Sequence, residues 1–353
     1  MPGSISDHAL EGIVRACYSA GEDLGADRGR LLDAIRRVVP FDAAFMAGAD
    51  PDTLLFTSAF AEEPLAAAAL RFLDNEFGAS ADVNRFADLA HSRDPVASLD
   101  SATRGDRAAS ARWREIMDPL GMGDEMRVAL RVDGTAWGFL CLHRSGPMGF
   151  SASEMAVLRK VAPHAGEAIR RATVAPIAPG GSADSGEAVI LVADHLVLAV
   201  GGAVDQIGGG PLTVGGQLPV PLAAVVRRLE TIEFGDGGLD TPPAATRMTT
   251  QDGALVTVHA ARLRDASGAG PIVLTIAPAA PAERSSLLLA AYGLTTAQCR
   301  VANLVLQGRT TTQIVVDLHI SAHTVQDHLK VVFDKVGVRS RRELVSTMMH
   351  PSH

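Results

Sequence analysis

Between Thr295 and Glu343 the chain repeats one short signal. A hydroxyl residue is followed three positions later by Gln or Glu, as Thr295-x-x-Gln298, Thr310-x-x-Gln313 and Ser340-x-x-Glu343. In such a pair the hydroxyl accepts the backbone N–H of the third residue. The amide or carboxylate reaches back to the N–H of the first, so two unpaired donors of a helix start are satisfied together. Ser321 supplies a fourth N-cap. Gly308 and Gly337 stand where the first and third helices must stop. These signals act over one turn of chain and leave little freedom: four short helices must follow one another here.

The third of these helices opens as SAHTVQDHLK. At about 100° per residue, Val325, Leu329, Val332, Phe333 and Val336 share one face. His323, Asp327, Lys330 and Asp334 fall opposite, with Gln326 at the flank. The second helix reaches the third through a tight His319-Ile320-Ser321 turn. Two helices joined this way form the helix-turn-helix unit, whose second helix enters the DNA major groove.

Over residues 289–353 the sequence resembles the LuxR/GerE-type four-helix DNA-binding domain of bacterial transcription regulators. The matching positions are Gly293-Leu294-Thr295, Val301, Gly308, Ile314, Leu318, Ile320-Ser321, Thr324-Val325, His328-Leu329, Lys335, Gly337-Val338 and Ser340-Arg341. The resemblance implies that Gln326, Asp327 and Lys330 face base edges. It places Arg309, Thr310, Ser321, His323, Thr324 and Arg339 at phosphates or groove edges. The last helix, through Arg341, Leu344, Val345 and Met348, becomes the seam of a homodimer on a near-palindromic operator in double-stranded DNA. The sequence departs from the family at His323 and Gln326, where Lys is frequent, at Val315, where Ala is usual, and at Ala297-Gln298, where Arg-Glu is common.

Charge singles out the same segment. The chain carries −8, but from residue 289 onward seven Lys or Arg stand against four acids, a balance of +3 that leaves −11 on the remainder. Only the C-terminal piece has the sign to approach phosphate. Asp327 has two readings: a surface charge that repels phosphate, or an acceptor for a cytosine amino group. His328, beside the apolar face, reads as a packed histidine. The skew of three Lys to 29 Arg suits a GC-rich bacterial genome.

Two stretches divide the rest. APIAPGGSADSG places a linker at 175–186, and APAAPAERSS (277–286), which lacks helical or strand periodicity, places another at 279–288. The expected layout is multidomain: an α+β domain at 1–174, a mostly-β domain at 187–278, and the all-α four-helix helix-turn-helix domain at 289–353. In the first, RLLDAIRRVV has helical spacing, and AAFMAGAD and TLLFTSAF read as strands joined by Asp50-Pro51-Asp52. MRVALRVDGTAWGFLCLHR is a hairpin turning at Asp133-Gly134, and Ser151 with Glu154 starts a long helix. That element order and the Phe150-Ser151-x-x-Glu154 start resemble a GAF-type sensing domain. In the second, a strand pair turning at Ala193-Asp194-His195, a helix in LPVPLAAVVRRLETI and three further strands, two of them joined at Gln251-Asp252-Gly253, resemble a PAS-type fold. A plain β-rich dimerisation domain fits the same pattern.

Chemistry is sparse. Cys17, Cys141 and Cys299 make no disulfide framework, and Cys141-x-His143 offers two metal ligands on one strand, which do not make a site. Cys141, Trp137 and Phe139 read as core, and Trp137 or Phe139 could line a sensor pocket. GxxxxGK[ST], GxSxG and HExxH are missing, and the aromatic-rich pocket of a homoserine-lactone receptor is not evident. The expectation is a cytoplasmic, non-enzymatic, DNA-binding transcription regulator without cofactor, metal or membrane segment. Its N-terminal domains would sense an unknown small molecule or partner. The alternative is a protein–protein signalling scaffold with a degenerate DNA-binding tail.

Overall fold

A computed structural model describes residues 7–18, 24–78, 82–174, 186–202, 212–235, 242–250, 253–264 and 270–349. The first expected linker, apart from Gly186, and the Gln251-Asp252 turn lie outside these residues.

The first unit begins with helices α1 (Asp7–Tyr18) and α2 (Leu24–Arg36). Strands β1 (Ala43–Ala49) and β2 (Phe56–Ala61) follow, then α3 (Ala69–Phe77), α4 (Phe86–His91), the short β3 (Val96–Ser98) and α5 (Leu99–Ala102). The hairpin β4 (Met122–Val132) and β5 (Thr135–Ser145) leads into the long α6 (Ala152–Val174). The antiparallel sheet runs β2-β1-β5-β4-β3. Asp133 and Gly134 both take positive φ, the turn geometry whose twist matches the flanking strands. Ser151 and Glu154 exchange the expected cap bonds.

One face of this sheet packs on α1, α2 and α6 through Met126, Val128, Leu130, Leu140 and Leu142. The approach of α6 is close: a Cβ on Gly166 would sit 2.9 Å from the Leu130 carbonyl carbon. The other face carries an aromatic cluster in which Phe86 stacks on Phe139 at 4.6 Å.

The middle unit comprises β6 (Ala188–Ala193), β7 (Leu196–Gly202), α7 (Val220–Glu233), β8 (Ala245–Thr249), β9 (Leu255–Arg262) and β10 (Ile272–Pro278). Its antiparallel sheet runs β7-β6-β10-β9-β8, and Asp194 and His195 make its first turn at positive φ. The helix α7 covers Ile190, Val256, Val258, Leu274 and Ile276, and this core continues into Phe56, Phe77 and Phe139 of the first unit. Polar contacts seal the junction: Arg227 pairs with Asp74 at 2.5 Å, and the Thr231 hydroxyl donates to the Phe77 carbonyl.

The second expected linker is corrected. Residues 277–278 finish β10, and after Ala279 and Ala280 a helix α8 (Pro281–Ala291) begins. Proline is tolerated at the first helical position, where its missing N–H would be unpaired anyway. The Glu283 carboxylate accepts the Ala280 N–H at 2.8 Å. Leu287 and Ala291 pack on Trp137 of β5 and Leu255 of β9. Leu289 enters the core of the C-terminal bundle. One helix therefore touches all three units.

The bundle itself is α9 (Thr296–Leu306), α10 (Thr311–Leu318), α11 (Ala322–Val336) and α12 (Arg341–Met349). No helix among the described residues is long and apolar enough to cross a membrane.

Candidate nucleic-acid interface and sensor cavity

The bundle's caps form as the spacing demands. Thr295 and Gln298 exchange bonds at 3.0 and 3.3 Å, and Thr310 and Gln313 at 2.8 and 3.3 Å. Ser321 accepts the Thr324 N–H at 3.0 Å. At the fourth helix Glu343 donates its N–H to Ser340, but its carboxylate accepts from the Arg339 N–H, one residue earlier than the expected partner. His319 closes α10 in the left-handed region, which His enters more readily than most residues. Gly337 closes α11 in the same way.

These caps fix how α11 is presented. Val325, Leu329, Val332 and Val336 are buried, with Phe333 half-buried. His323, Gln326, Asp327 and Lys330 are all exposed, so no described residue of the first two units covers that face. His323 Nε2 lies 3.5 Å from Asp327 Oδ2, one turn away. Thr310 and Ser321 are exposed but use their hydroxyls as caps. Thr324 is half-buried, and its hydroxyl meets that of Ser321 at 2.8 Å. Arg309 and Arg339 are exposed, Arg309 at 3.6 Å from Asp317. His328 is half-buried beside the apolar face.

The expected dimer seam needs correction. Leu344 and Met348 are 0% and 1% exposed and belong to the bundle's own core. Arg341 donates to the Arg309 carbonyl and to the Thr311 hydroxyl. The outward side of α12 carries Arg342 and Ser346, with Val345 half-buried beside them.

A second site lies inside the first unit and was not legible in the sequence. Cross-strand pairing sets Glu125 opposite His143 and Arg127 opposite Cys141. These side chains face a cavity of about 40 Å³, walled by Phe45, Phe56, Phe72 and Phe86 and closed by Val220 of the middle unit. Trp137 and Phe139 are buried elsewhere on that strand face, so the aromatic lining comes from four separated stretches instead. Arg112, fully buried, donates to Glu125 Oε2 at 2.9 Å and to Asn75 at 2.9 Å. Arg127 donates to Glu76 at 2.6 Å. The Cys141 thiol donates to Glu125 Oε1 at 3.2 Å and lies 3.2 Å from His143 Nε2.

Burial pushes the Glu125 carboxyl up, but Arg112 and Arg127 outweigh it and hold the group well below the usual carboxylate range. Burial, with the Glu125 charge, pushes the Cys141 thiol well up, so it stays protonated. Burial lowers His143 to about 4, against the pull of Glu125, and leaves it neutral. A thiol this far from ionisation is no nucleophile.

Two family models match separate parts of the chain. Residues 293–348 match the family model for bacterial regulatory proteins of the luxR family (GerE), and residues 14–169 match the GAF domain. The C-terminal unit is thus a LuxR-type helix-turn-helix domain and the first unit a GAF domain. Among solved structures, SdiA of Escherichia coli aligns over 97% of this chain and 96% of its own, at 9% identity and a TM-score of 0.35. The chromophore-binding domain of bacteriophytochrome RpBphP3 from R. palustris aligns over 45% of this chain at 14% identity, with a TM-score of 0.31; 58% of that protein's length is covered. The VqsR LBD domain from Pseudomonas aeruginosa aligns over 46% of this chain and 93% of its own, at 18% identity and a TM-score of 0.30. No curated protein matches the chain.

Proposed function

We propose that a chain carrying a LuxR-type domain behind a GAF domain is a sequence-specific, DNA-binding transcription regulator under the control of its sensor units. The observation that carries this reading is the capped α10–α11 pair, with His323, Gln326, Asp327 and Lys330 together on an open face. In the docked pose Gln326, Asp327 and Lys330 meet base edges. Arg309, Thr310, Ser321, His323, Thr324 and Arg339 lie along the backbone, which positions the helix without reading sequence. Two copies bind a near-palindromic site through the outward side of α12.

Control follows from connectivity. The strand β5 carries Cys141 and His143 at the cavity and Trp137 against α8, and α8 places Leu289 in the core of the DNA-binding bundle. A ligand that shifts β5 has a packed route to α11. A cavity of about 40 Å³ admits something much smaller than an ordinary organic ligand, whose pockets span about 300–1,000 Å³.

The test is binding-site selection on genomic DNA, followed by mobility shifts with Lys330→Ala. A loss of about 1–3 kcal/mol concentrated at one base position is expected for a residue that reads guanine. A second reading, a protein–protein signalling scaffold, is favoured by the thin charge of the face, where Asp327 sits 3.5 Å from His323. Failure to select any DNA sequence decides for the scaffold.

A further inference from the structure

The sequence offers two metal ligands on one strand, Cys141 and His143. The structure adds a third from the neighbouring strand. Cys141 Sγ is 3.2 Å from both Glu125 Oε1 and His143 Nε2, and those two atoms are 3.7 Å apart. We propose that Glu125, Cys141 and His143 form a buried site for a single divalent cation of the zinc class, with its fourth position open to the sensor cavity.

Geometry is the first support. With metal–sulfur bonds near 2.3 Å and metal–nitrogen and metal–oxygen bonds near 2.1 Å, a tetrahedral centre separates its ligand atoms by roughly 3.3–3.6 Å. The three observed spacings straddle that range, so a cation fits with small side-chain adjustments. The donor set is also selective. Thiolate with imidazole suits a borderline cation such as Zn²⁺ and disfavours Mg²⁺ or Ca²⁺, which require oxygen ligands.

The surroundings supply orientation. Arg112 holds Glu125 by Oε2, with Nη2 at 2.7 Å, and Arg127 Nε lies 3.0 Å from Oε1, the oxygen that faces Cys141 and His143. His143 Nδ1 is buried without a hydrogen-bond partner. The ring's polar contacts among the described residues therefore lie on the Nε2 side, with Cys141 and Glu125. Three protein ligands beside an open position are the arrangement of reactive, rather than purely structural, zinc sites. The cavity of about 40 Å³ holds a metal-bound water, whose share of liquid volume is about 30 Å³, or a similarly small molecule in its place.

Binding is an exchange. The Cys141 S–H bond breaks, the proton leaves to solvent, and sulfur donates the freed pair to the cation. One proton is released per metal ion, which opposes tight binding at low pH. No redox partner is needed.

The proposal rests on the reading of the first unit as the sensor only for its biological use. Metal binding is measured on DNA-free protein and DNA binding by mobility shift, so failure of one is distinct from failure of the other. The full-length protein is stripped with chelator and titrated with Co²⁺ alone. One equivalent should give visible ligand-field bands of a tetrahedral centre and a thiolate-to-cobalt charge-transfer band. Cys141→Ser should abolish the charge-transfer band. It and His143→Gln should each weaken binding by more than about 100-fold, beyond the 10–100-fold typical of losing only a hydrogen-bond partner behind a ligand. Should either variant misfold, the wild type decides: Zn²⁺ should protect Cys141 from alkylation, with protection reversed by chelator and mapped by peptide analysis. Absence of both bands and protection in the wild type overturns the site. So does a charge-transfer band that persists in folded Cys141→Ser, which would assign the thiolate to Cys17 or Cys299.

Discussion

In both sheets the first strand lies between the second and the fifth, and the third lies at the far edge, yet the two interiors differ in kind. The fourth and fifth strands of the first sheet turn Glu125, Arg127, Cys141 and His143 toward a cavity. In the second sheet the same two strands bury Val256, Val258, Leu274 and Ile276 under α7. Its buried charge points the other way. Arg247 of β8 donates to Asp50 at 2.6 and 2.8 Å, to Asp52 at 2.6 Å, and to the Glu283 carbonyl of α8 at 3.0 Å. A shared topology fixes where an interior lies; the residues decide whether it senses, as in the first unit, or fastens, as in the second.

Placing a carboxylate in the second interior is the most severe test of that difference. Val258 is 0% exposed and packs in the apolar cluster under α7. Val258→Glu should cost about 4 kcal/mol or more, because an unpaired charge is buried. Glu125 is tolerated only because Arg112 and Arg127 meet it. Both tryptophans, Trp113 and Trp137, lie in the first unit. Trp137 packs on Leu255 of β9, so its fluorescence should shift as circular dichroism reports loss of the middle unit, while Trp113, which donates to the Gly123 carbonyl, keeps its native signal. A fully folded variant would mean that the second core is not as closed as its burial indicates.

The converse change removes the compensation. Arg112→Ala leaves Glu125 with Arg127 alone and Asp82 without its ion-pair partner, and should destabilise the first unit by about 3 kcal/mol, the lower end for a broken buried pair. Urea unfolding followed by fluorescence measures this. A cost under about 1 kcal/mol would make the network a solvated cluster rather than a sealed one.

At the seam, Arg247→Ala leaves Asp50, itself 2% exposed, facing an empty space. The expected cost is about 3 kcal/mol, toward the lower end for a broken buried pair because Asp52 is half exposed. It should fall on docking rather than on either sheet. Calorimetry should then resolve separate transitions for the first and middle units. A single transition at lower temperature would place the latch inside one cooperative core.

What the sequence revealed follows the range of the interactions. Caps act over three residues and a hairpin turn over two, so the bundle and both hairpins are readable from local spacing. The burial of Leu344 and Met348 depends on packing against distant helices, and a family's dimer contact did not disclose it. Glu125 and Arg127 alternate along β4 like residues of a wet strand face. Their partners stand at Arg112 and Glu76, and Arg112 in turn meets Asp82, on other stretches of the chain, and nothing in the local pattern points to them. The helix α8 was hidden differently: Pro281 reads as a breaker, yet at a helix start it is neutral.

The smallest expected effect concerns which sheet holds α8. Trp137 of the first sheet contacts it through Leu287 and Ala291. The second sheet holds it through Arg247 and through Thr257, whose hydroxyl donates to Glu283 Oε2 at 2.9 Å. Thr257 pairs across strands with Arg247, so both point to the start of α8. Thr257→Val removes the donor and keeps the volume. The Glu283 carboxylate still accepts the Ala280 N–H and is partly open to water, so the loss should be about 1 kcal/mol, the ordinary net value of one hydrogen bond. Global stability should hardly move. Local opening of the first turn of α8 should rise about fivefold, the factor that corresponds to 1 kcal/mol. Hydrogen exchange at the amides of α8's first turn reads this directly, with the amides of α6 as an internal reference. Faster exchange confined to α8 assigns its first turn to the second sheet, which then stands between the sensor and the DNA-binding bundle. Unchanged exchange assigns the whole helix to Trp137 and the first sheet, and the middle unit loses its part in the relay.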